Sequence, residues 1–352
     1  MFKEKLVLTF YAQTPVHMGS GVSVSYVDNP IQREKHTNFP ILASSGIKGV
    51  IRELALRRWN DVEKVNVIFG PEDGGEENAS CVSFTDAKIL LYPVRSVKGV
   101  FAYITCPYVL NRFKNELKSI GISDLPGIPS LTKEDAILVC TDSELKIDNN
   151  KVVLEEFVFN IDNIDNSQNI DDLMKKISGY LPEEVSSNLD KHFAVVSDDV
   201  FVDFVKYAVE IRTRIRIDQT TGTVAEGALF TIELVPSESV FYGILFFNDP
   251  YFGIDYPIYE KLKVTKSEEK SFEDMLSTLG EEEKKRIKDE QRNRLKQAYE
   301  GKYFTAEEIK EKNLKQLLDN SIIQLGGDET LGMGFMKVKC ISYENKRSQQ
   351  DK

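Results

Sequence analysis

The order of strand and helix patterns over residues 1–120 limits the fold of this chain more than any other feature. Runs of β-prone apolar residues predict strands at Lys5–Thr14, Cys81–Leu91 and Gly99–Thr105. Apolar residues at helical spacing predict a helix that begins at Ser44, and a second helix is predicted at Pro107–Lys118, with proline in its first turn. The predicted order is therefore strand, helix, strand, strand, helix.

This order supplies most of a ferredoxin-like βαββαβ unit, whose last strand would have to come from much later in the chain. The chain has 352 residues, which is more than one small core needs, so one elaborated domain or two fused domains are expected. Similar strand and helix patterns recur later in the sequence, so two fused ferredoxin-like halves are an alternative. Both arrangements belong to the α+β class.

Composition predicts a globular protein without a membrane segment. Apolar residues make up 41% of the chain, and no run approaches the roughly 18 apolar residues that a membrane-spanning helix requires. A strand pattern begins at Phe2 without a signal-peptide core, so we expect a cytoplasmic protein. No CxxC pair is present, so we expect buried, reduced thiols rather than a zinc site or disulfides at the four cysteines, Cys81, Cys106, Cys140 and Cys340.

Charge is distributed unevenly along the chain. The net charge of −11 argues against indiscriminate binding of nucleic acid. Residues 30–60, however, carry two acidic side chains and six basic ones, which are Arg33, Lys35, Lys48, Arg52, Arg57 and Arg58. This local excess fits a specific anionic ligand, and it fits an ordinary solvated face equally well. The region 268–317 is highly charged and predicts an exposed helical elaboration.

A second basic pattern lies in a predicted β-hairpin. Val209–Ile217 alternates strictly between β-branched and charged residues, Asp218–Gly222 has turn composition, and Leu229–Val235 is predicted to return as the paired strand. The alternation places three arginines on one face, namely Arg212, Arg214 and Arg216. Such a face suits several phosphates, but it also suits pairing with nearby acids.

Few residues have the spacing of a catalytic motif. Gly326–Gly334 lacks the GK[ST] of a phosphate-binding P-loop, and a strand rather than a helix follows it. The long loop after the first strand contains only two acids, Asp28 and Glu34, which argues against a two-metal nuclease. Cleavage of RNA through its own 2′-hydroxyl needs less, and one acid with cations such as Lys35 and His36 would suffice. Alternatively, Asp28 only forms an Asx-turn beside Asn29-Pro30.

Five blocks of the sequence resemble one known protein family. They are TPVHMGSG (14–21), VDNPIQREKHT (27–37), SSGIKGVIR (44–52), RIRIDQTTGTVAEGALF (214–230) and GGDETLGMG (326–334). Together they resemble the backbone subunits of Cmr-type, type III-B CRISPR effector complexes, which belong to the RAMP superfamily. The block at 27–37 is the most specific, whereas the glycine-rich block is typical of the wider superfamily.

The resemblance implies an RRM-like, that is ferredoxin-like, RAMP palm with large insertions. The palm would comprise residues 1–120 and 320–345, with a catalytic loop at 15–39 and a glycine-rich loop at 326–334. Residues 121–319 would be insertions, including a β-hairpin thumb at about 205–236 and the charged helical region 268–317.

The resemblance also implies a reaction and its partners. Copies of the subunit would stack along a guide RNA, together with other Cmr-type subunits. No membrane partner is expected. Each thumb would disturb the duplex of guide and target RNA, so that the target is cut at regular intervals. The implied cofactor is a divalent metal, Mg²⁺ or Mn²⁺.

Residue roles follow from the same resemblance. Asp28 matches the catalytic aspartate, which would position or deprotonate the 2′-hydroxyl or hold the metal, while His17 and Glu226 occupy motif positions near it. Lys48, at a helix N-terminus, matches a contact to the guide backbone. The other implied RNA-binding residues are Ser44, Ser45, Arg52, Lys35, His36, Arg212, Arg214, Arg216, Gly326, Gly327, Gly332 and Gly334.

The chain departs from the family at Leu42-Ala43, where a proline-glycine pair is usual, which puts the shape of that loop in doubt.

The sequence leaves two alternative functions open. One alternative is a non-catalytic scaffold that only coats the guide RNA. The other is a metal-independent endoribonuclease that processes guide RNA with a histidine such as His17.

Overall fold

The structure is a computed structural model, and it describes residues 2–23, 27–71, 79–131, 133–148, 150–162, 167–250, 280–286 and 305–342. Contacts divide the chain into two compact units. The smaller comprises Met1–Lys5, Arg52–Ser83 and Leu245–Leu317, and the larger comprises Leu6–Ile51, Phe84–Ile244 and Leu318–Lys352. Within the described residues, no helix has the length and apolar character that crossing a membrane requires.

Strands and helices both contribute to the fold, so the predicted α+β class is confirmed. The strands are β1 Glu4–Ala12, β2 Ile41–Leu42, β3 Val82–Phe84, β4 Ala87–Arg95, β5 Phe101–Thr105, β6 Ala136–Val139, β7 Lys146–Asp148, β8 Lys151–Leu154, β9 Phe157–Ile161, β10 Phe193–Val195, β11 Glu210–Ile217, β12 Val224–Leu234, β13 Val240–Phe247, β14 Ile322–Gln324 and β15 Phe335–Ile341. The helices are α1 Ser44–Trp59, α2 Val62–Phe69, α3 Pro107–Ser119, α4 Ser167–Ser178, α5 Glu183–Ser186, α6 Leu189–His192, α7 Asp198–Tyr207, α8 (281–286), α9 Ala306–Glu308 and α10 Gln316–Leu318, with a π-helical segment, Ile309–Lys315, between the last two.

Most strands join one mixed sheet. Its hydrogen-bonded order is β14-β15-β1-β13-β4-β5-β10-β6-β9-β8-β7, and β2 pairs with β4. The first strand therefore lies between two strands from late in the chain, as a unit completed by distant segments requires. The division into a ferredoxin-like palm and insertions stays a prediction.

The core of the larger unit forms where helix α3 packs on this sheet. Pro107 starts the helix, and Val109, Leu110, Phe113 and Leu117 are buried at helical spacing. The ring of Phe113 meets that of Tyr242 on β13 edge-on, with centroids 4.6 Å apart. This packing joins the helix to the centre of the sheet.

The predicted strand Cys81–Leu91 is wrong as a single element. It is divided into β3 and β4 by Thr85 and Asp86, whose side chains bind distant backbone groups. The Thr85 hydroxyl accepts from the Ile244 N–H at 2.9 Å, and the Asp86 carboxylate accepts from the N–H of Ser44 at 2.7 Å. Asp86 therefore serves the first residue of α1, which the local sequence does not reveal.

The predicted hairpin is present as a separate two-stranded sheet of β11 and β12. Arg214 lies opposite Phe230, and Ile215 lies opposite Leu229. Apolar side chains on this sheet are exposed, including Ile211, Ile215, Ile217 and Leu229.

Only parts of the charged region 268–317 belong to the described residues. Residues 281–286 are helical and mostly exposed. The expectation of exposure is wrong for the segment after Thr305, because Ala306, Ile309 and Leu314 are buried in the smaller unit. The ammonium of Lys310, also buried, binds the Glu4 carboxylate at 2.5 Å.

Candidate functional site

The carboxylate of Asp28 is held by a single residue of the hairpin, Thr231. Its Oδ2 atom accepts from the Thr231 backbone N–H at 2.7 Å and from the Thr231 hydroxyl at 2.9 Å. The same hydroxyl accepts from the backbone N–H of Asp28 at 3.1 Å. These bonds from Thr231, the backbone one first, lower the pKa of Asp28 below its ordinary value, so the side chain is an anion at neutral pH.

The loop that carries Asp28 lies along the outer edge of strand β12. The Asn29 N–H donates to the Thr231 carbonyl at 3.1 Å, and the Glu233 N–H donates to the Asn29 carbonyl at 3.0 Å. Further bonds tie the same loop to residues before it, since Ser20 N–H donates to the Pro30 carbonyl and Gln32 N–H to the Met18 carbonyl. The segment is therefore more closely bonded than its irregular sequence predicts.

A buried ion pair fastens the loop to the hairpin a second time. The Arg33 guanidinium donates to Glu233 Oε1 at 2.6 Å, and the Ile31 N–H donates to Glu233 Oε2 at 2.9 Å. The two charged side chains are only 14% and 10% exposed. Arg33 also donates to the Val205 and Asn38 carbonyls. Its guanidinium is therefore paired and hydrogen-bonded inside the protein.

The next residues divide between anchoring and exposure. Glu34 accepts two bonds of 2.8 Å from Arg112 on α3, and the Thr37 hydroxyl donates to the same carboxylate. Lys35 and His36, between these anchors, are exposed. Of the basic side chains predicted for RNA in this loop, these two face solvent.

His17 reaches the same strand as Asp28. Its Nδ1 lies 2.7 Å from the carbonyl oxygen of Glu233, two positions after Thr231. A carbonyl only accepts, so Nδ1 carries the proton and Nε2 is left as the acceptor of the neutral ring. The structure thus brings His17 and Asp28 to neighbouring positions of β12.

Glu226 lies farther along the same strand. It is five positions from Thr231, about 17 Å of extended chain. It falls where the register of the hairpin shifts, between the pairs Ile215–Leu229 and Ile217–Val224. Its side chain is outside what the structure describes, so its predicted catalytic role stays a prediction.

The glycine-rich loop packs against the backbone that precedes His17 and Asp28. Gly327 N–H donates to the His17 carbonyl at 2.8 Å, and Gly334 N–H donates to the Pro15 carbonyl at 2.9 Å. A Cβ on Gly326, whose φ is +89°, would lie 2.4 Å from the His17 carbonyl oxygen. Close approach between two backbones therefore explains the glycine at position 326.

The N-terminal turn of α1 contains the residues predicted to hold the guide backbone. Ser44 begins the helix, and Ser45 and Lys48 follow in its first turn and a half. Ser45 is exposed and Lys48 is half-buried. Arg52 differs from them, because its guanidinium donates to the Asn66 side chain at 2.7 Å.

The three hairpin arginines have different surroundings. Arg212 pairs with Glu210 on its own strand at 2.5 Å. Arg214 donates to Asp328 of the glycine-rich loop at 2.7 Å and to the Met333 sulfur at 3.4 Å. Arg216 is exposed. The alternating pattern therefore does not act as one uniform basic face.

A divalent cation would meet one protein ligand here. Among the described residues, no group of three or more His, Cys, Asp or Glu side chains is arranged to hold a metal. Both bonds from Thr231 go to Oδ2 of Asp28, and neither uses Oδ1. One carboxylate oxygen fits the way Mg²⁺ commonly binds, with water and substrate phosphate completing its coordination.

Thr231 and Glu233 were not found by sequence reasoning. Both act on residues about 200 positions earlier, which no local pattern encodes. One signal was available at Glu233, a single acid within the apolar run Ile232–Val235. A charge in a buried strand requires a partner, and here the partner is Arg33.

The sequence of this chain is similar to those of one known family and of known proteins. The RAMP superfamily model matches residues 9–337. The CRISPR system Cmr endoribonuclease Cmr4 of Pyrococcus furiosus is 36% identical over 338 residues, covering 95% of each chain.

Solved structures of Cmr proteins are similar to this chain in fold. The crystal structure of oligomeric Cmr4 from Pyrococcus furiosus superposes with a TM-score of 0.65 at 29% identity, covering 97% of this chain and 99% of that one. A chain in the cryo-EM structure of the type III-B Cmr-beta complex bound to cognate target RNA has a TM-score of 0.61 at 20% identity, with coverage of 96% and 98%. This last likeness concerns the fold alone.

Proposed function

This chain belongs to the RAMP superfamily, and we propose that it is a backbone subunit of a type III-B CRISPR ribonucleoprotein that binds guide RNA and cleaves the complementary target RNA. The observation that carries the proposal is the 36% identity to the Pyrococcus furiosus endoribonuclease along nearly the full length of both chains. The Asp28 carboxylate, which Thr231 holds by two hydrogen bonds, is the candidate catalytic group.

Asp28 is the proposed catalytic residue. RNA provides its own nucleophile, so the protein needs chiefly to align the 2′-hydroxyl with the scissile phosphate. A carboxylate whose pKa lies below its ordinary value is a weak base at neutral pH but a permanent acceptor. We therefore assign Asp28 to accepting a hydrogen bond from the 2′-hydroxyl, which turns the oxygen toward the phosphorus atom.

His17 and Glu226 are proposed supporting residues. The acceptor Nε2 of His17 is the ring nitrogen that remains for RNA or water, because Nδ1 donates to the Glu233 carbonyl. Glu226 enters only by its motif position in the hairpin.

Metal dependence is part of the proposal. Mg²⁺ or Mn²⁺ would be held by the Asp28 carboxylate together with RNA phosphate. Such an ion supplies positive charge to the phosphate while the strand is cut.

Guide RNA is proposed to run past the start of α1. The N-terminus of α1 and the ammonium of Lys48 suit a phosphate, and Ser44 and Ser45 supply hydroxyls beside it. The exposed side chains of Lys35, His36 and Arg216 would contact RNA separately, and the amides of Gly327 and Gly334 would support the loop rather than bind phosphate.

The larger assembly is proposed from the same kinship. Further copies of the chain and other Cmr-type subunits would coat the guide RNA, each with a palm formed by residues 1–120 and 320–345. The hairpin β11–β12 would be the thumb. Since its base holds Asp28, the thumb that disturbs the duplex would also carry the cutting group.

The test is target cleavage by the assembled complex with Asp28→Asn in place of the native subunit. We expect cleavage to fall about 100-fold or more with target binding retained, since misplacing a reacting group costs on this scale. A matched control is Asp61→Asn, because the Asp61 carboxylate accepts from the Lys64 N–H at the start of α2, a capping role that asparagine also fills.

Other outcomes would exclude the proposal. Unchanged cleavage by Asp28→Asn, with and without Mg²⁺ or Mn²⁺, would exclude Asp28 as the catalytic residue. Metal-independent cutting of precursor repeat RNA, lost in His17→Ala, would instead indicate a guide-processing enzyme.

A further inference from the structure

Thr231 makes three hydrogen bonds with one residue, and that residue is Asp28. Its backbone N–H and its hydroxyl both donate to Oδ2, at 2.7 Å and 2.9 Å, and the hydroxyl accepts from the Asp28 N–H at 3.1 Å. An aspartate on a partly exposed loop ordinarily rotates about two side-chain bonds. Two donors on one oxygen stop that rotation and leave the other oxygen in a defined direction.

We propose that Thr231 is a positioning residue for RNA cleavage, which fixes the Asp28 carboxylate so that Oδ1 points to the reacting RNA. The inference rests on the proposed function, since it gives Asp28 the catalytic part. Thr231 would not itself touch the reacting atoms.

The surroundings of Thr231 make the arrangement stiff. The residue lies within the paired part of the hairpin, with Thr213 directly opposite it. The carbonyl of Thr231 accepts from the Asn29 N–H, so the loop backbone on the far side of Asp28 is fixed by the same residue. Two positions on, Glu233 binds the Ile31 N–H and Arg33. A movement of the hairpin therefore carries the carboxylate with it.

A hydroxyl is the functional requirement of this site. Valine has the shape of threonine but neither donates to Oδ2 nor accepts from the Asp28 N–H. Serine keeps both abilities and loses only a methyl group. The pKa of Asp28, which the Thr231 bonds lower, would move toward its ordinary value in the valine variant.

The first experiment compares Thr231→Val, Thr231→Ser and Thr213→Val in the assembled complex. Single-turnover cleavage at saturating target RNA, target affinity and the thermal unfolding midpoint are measured for each. We expect Thr231→Val to cut about 10- to 100-fold more slowly at unchanged target affinity, since misplacing a catalytic group by about 1 Å costs on this order. Thr231→Ser should keep most of the native rate, and Thr213→Val, on the same face of the hairpin, should match the native protein.

The second experiment asks whether Thr231 acts through Asp28. In an Asp28→Asn background, Thr231→Val should produce no further loss, because the group that it positions is already gone. Thr231→Ala, which lacks the hydroxyl and the methyl packing, should cut as slowly as Thr231→Val, which excludes a purely steric effect.

Failure of this inference is distinguishable from failure of the proposed function. A slow Asp28→Asn complex with a native Thr231→Val rate would overturn the positioning role alone. A native rate for Asp28→Asn would overturn both. Equal and independent losses from the two substitutions would show that Thr231 contributes otherwise than through Asp28.

Discussion

The guanidinium of Arg214 and the carboxylate of Asp328 are 2.7 Å apart, and their contact joins the hairpin to the glycine-rich loop. Both side chains are mostly buried, with 19% and 26% of their surfaces exposed. The charge that the alternating pattern offers to RNA is therefore largely neutralised at this position. Its neighbour Arg216 remains exposed.

Substitution of these two arginines should separate stability from RNA binding. Arg214→Ala is expected to cost about 1 kcal/mol and to lower the unfolding midpoint, because the ion pair is lost. Arg216→Ala should leave the midpoint unchanged and should weaken guide RNA binding, with the salt slope reduced by about one. Thermal unfolding and salt-dependent binding assays check this, and a larger binding loss for Arg214→Ala would contradict it.

The buried pair of Arg33 and Glu233 should dominate the stability of the loop. Glu233→Gln removes the charge that Arg33 needs, and breaking one partner of a buried pair costs about 3–5 kcal/mol. The control is Glu53→Gln, whose partner Arg57 is 73% exposed, so at most about 0.5 kcal/mol is expected. Equal midpoints for the two variants in thermal unfolding would show that the buried pair is not needed.

Glycine substitutions should rank by the space around each Cβ. Gly334 has φ of +79°, and a Cβ there would lie 2.0 Å from the Leu325 carbonyl oxygen, so Gly334→Ala requires the backbone to move. Gly332 also has positive φ, +74°, but nothing lies within 4 Å of its Cβ position. We expect about 1 kcal/mol of strain for Gly332→Ala and a clearly larger loss for Gly334→Ala, measured by thermal unfolding. The reverse order would contradict the close approach.

Acid should reduce the stabilising effect of Asp28. Its folded-state pKa is lowered by Thr231, so its contribution is complete above the unfolded-state pKa of about 4 and is lost as the pH falls through the lower folded-state value. The difference in unfolding midpoint between the native protein and Asp28→Asn should therefore shrink as the pH falls below about 4. A midpoint difference between the native protein and Asp28→Asn that stays constant between neutral and acidic pH would contradict this. The same measurement on Asp61→Asn is the comparison for an aspartate outside the candidate site.

Local patterns predicted the elements that are stabilised locally. Helix α3 begins at Pro107 and hairpin β11–β12 contains the alternating arginines, because helical spacing and period-two alternation are properties of adjacent residues. The break between β3 and β4 was missed, since Asp86 there serves the distant Ser44. Such a role is visible only after the chain has folded.

The site divides in the same way. Asp28 and His17 were predicted by resemblance. The position of Asp28 depends on Thr231, which is 203 residues away in sequence. Neither composition nor spacing relates two such residues. Whether Arg214 contacts phosphate or pairs with an acid was left open for the same reason, because its partner Asp328 is 114 residues away.

The bonds of Asn29 to Thr231 and Glu233 have a consequence for solubility. An uncovered strand edge offers N–H and C=O groups to strands of other molecules, and β12 would offer such an edge beside the exposed Ile211, Ile215 and Leu229. The loop covers that edge with its own backbone. A substitution that released the loop would therefore misplace the Asp28 carboxylate. It would also expose a strand edge through which copies of the chain can aggregate in the absence of RNA.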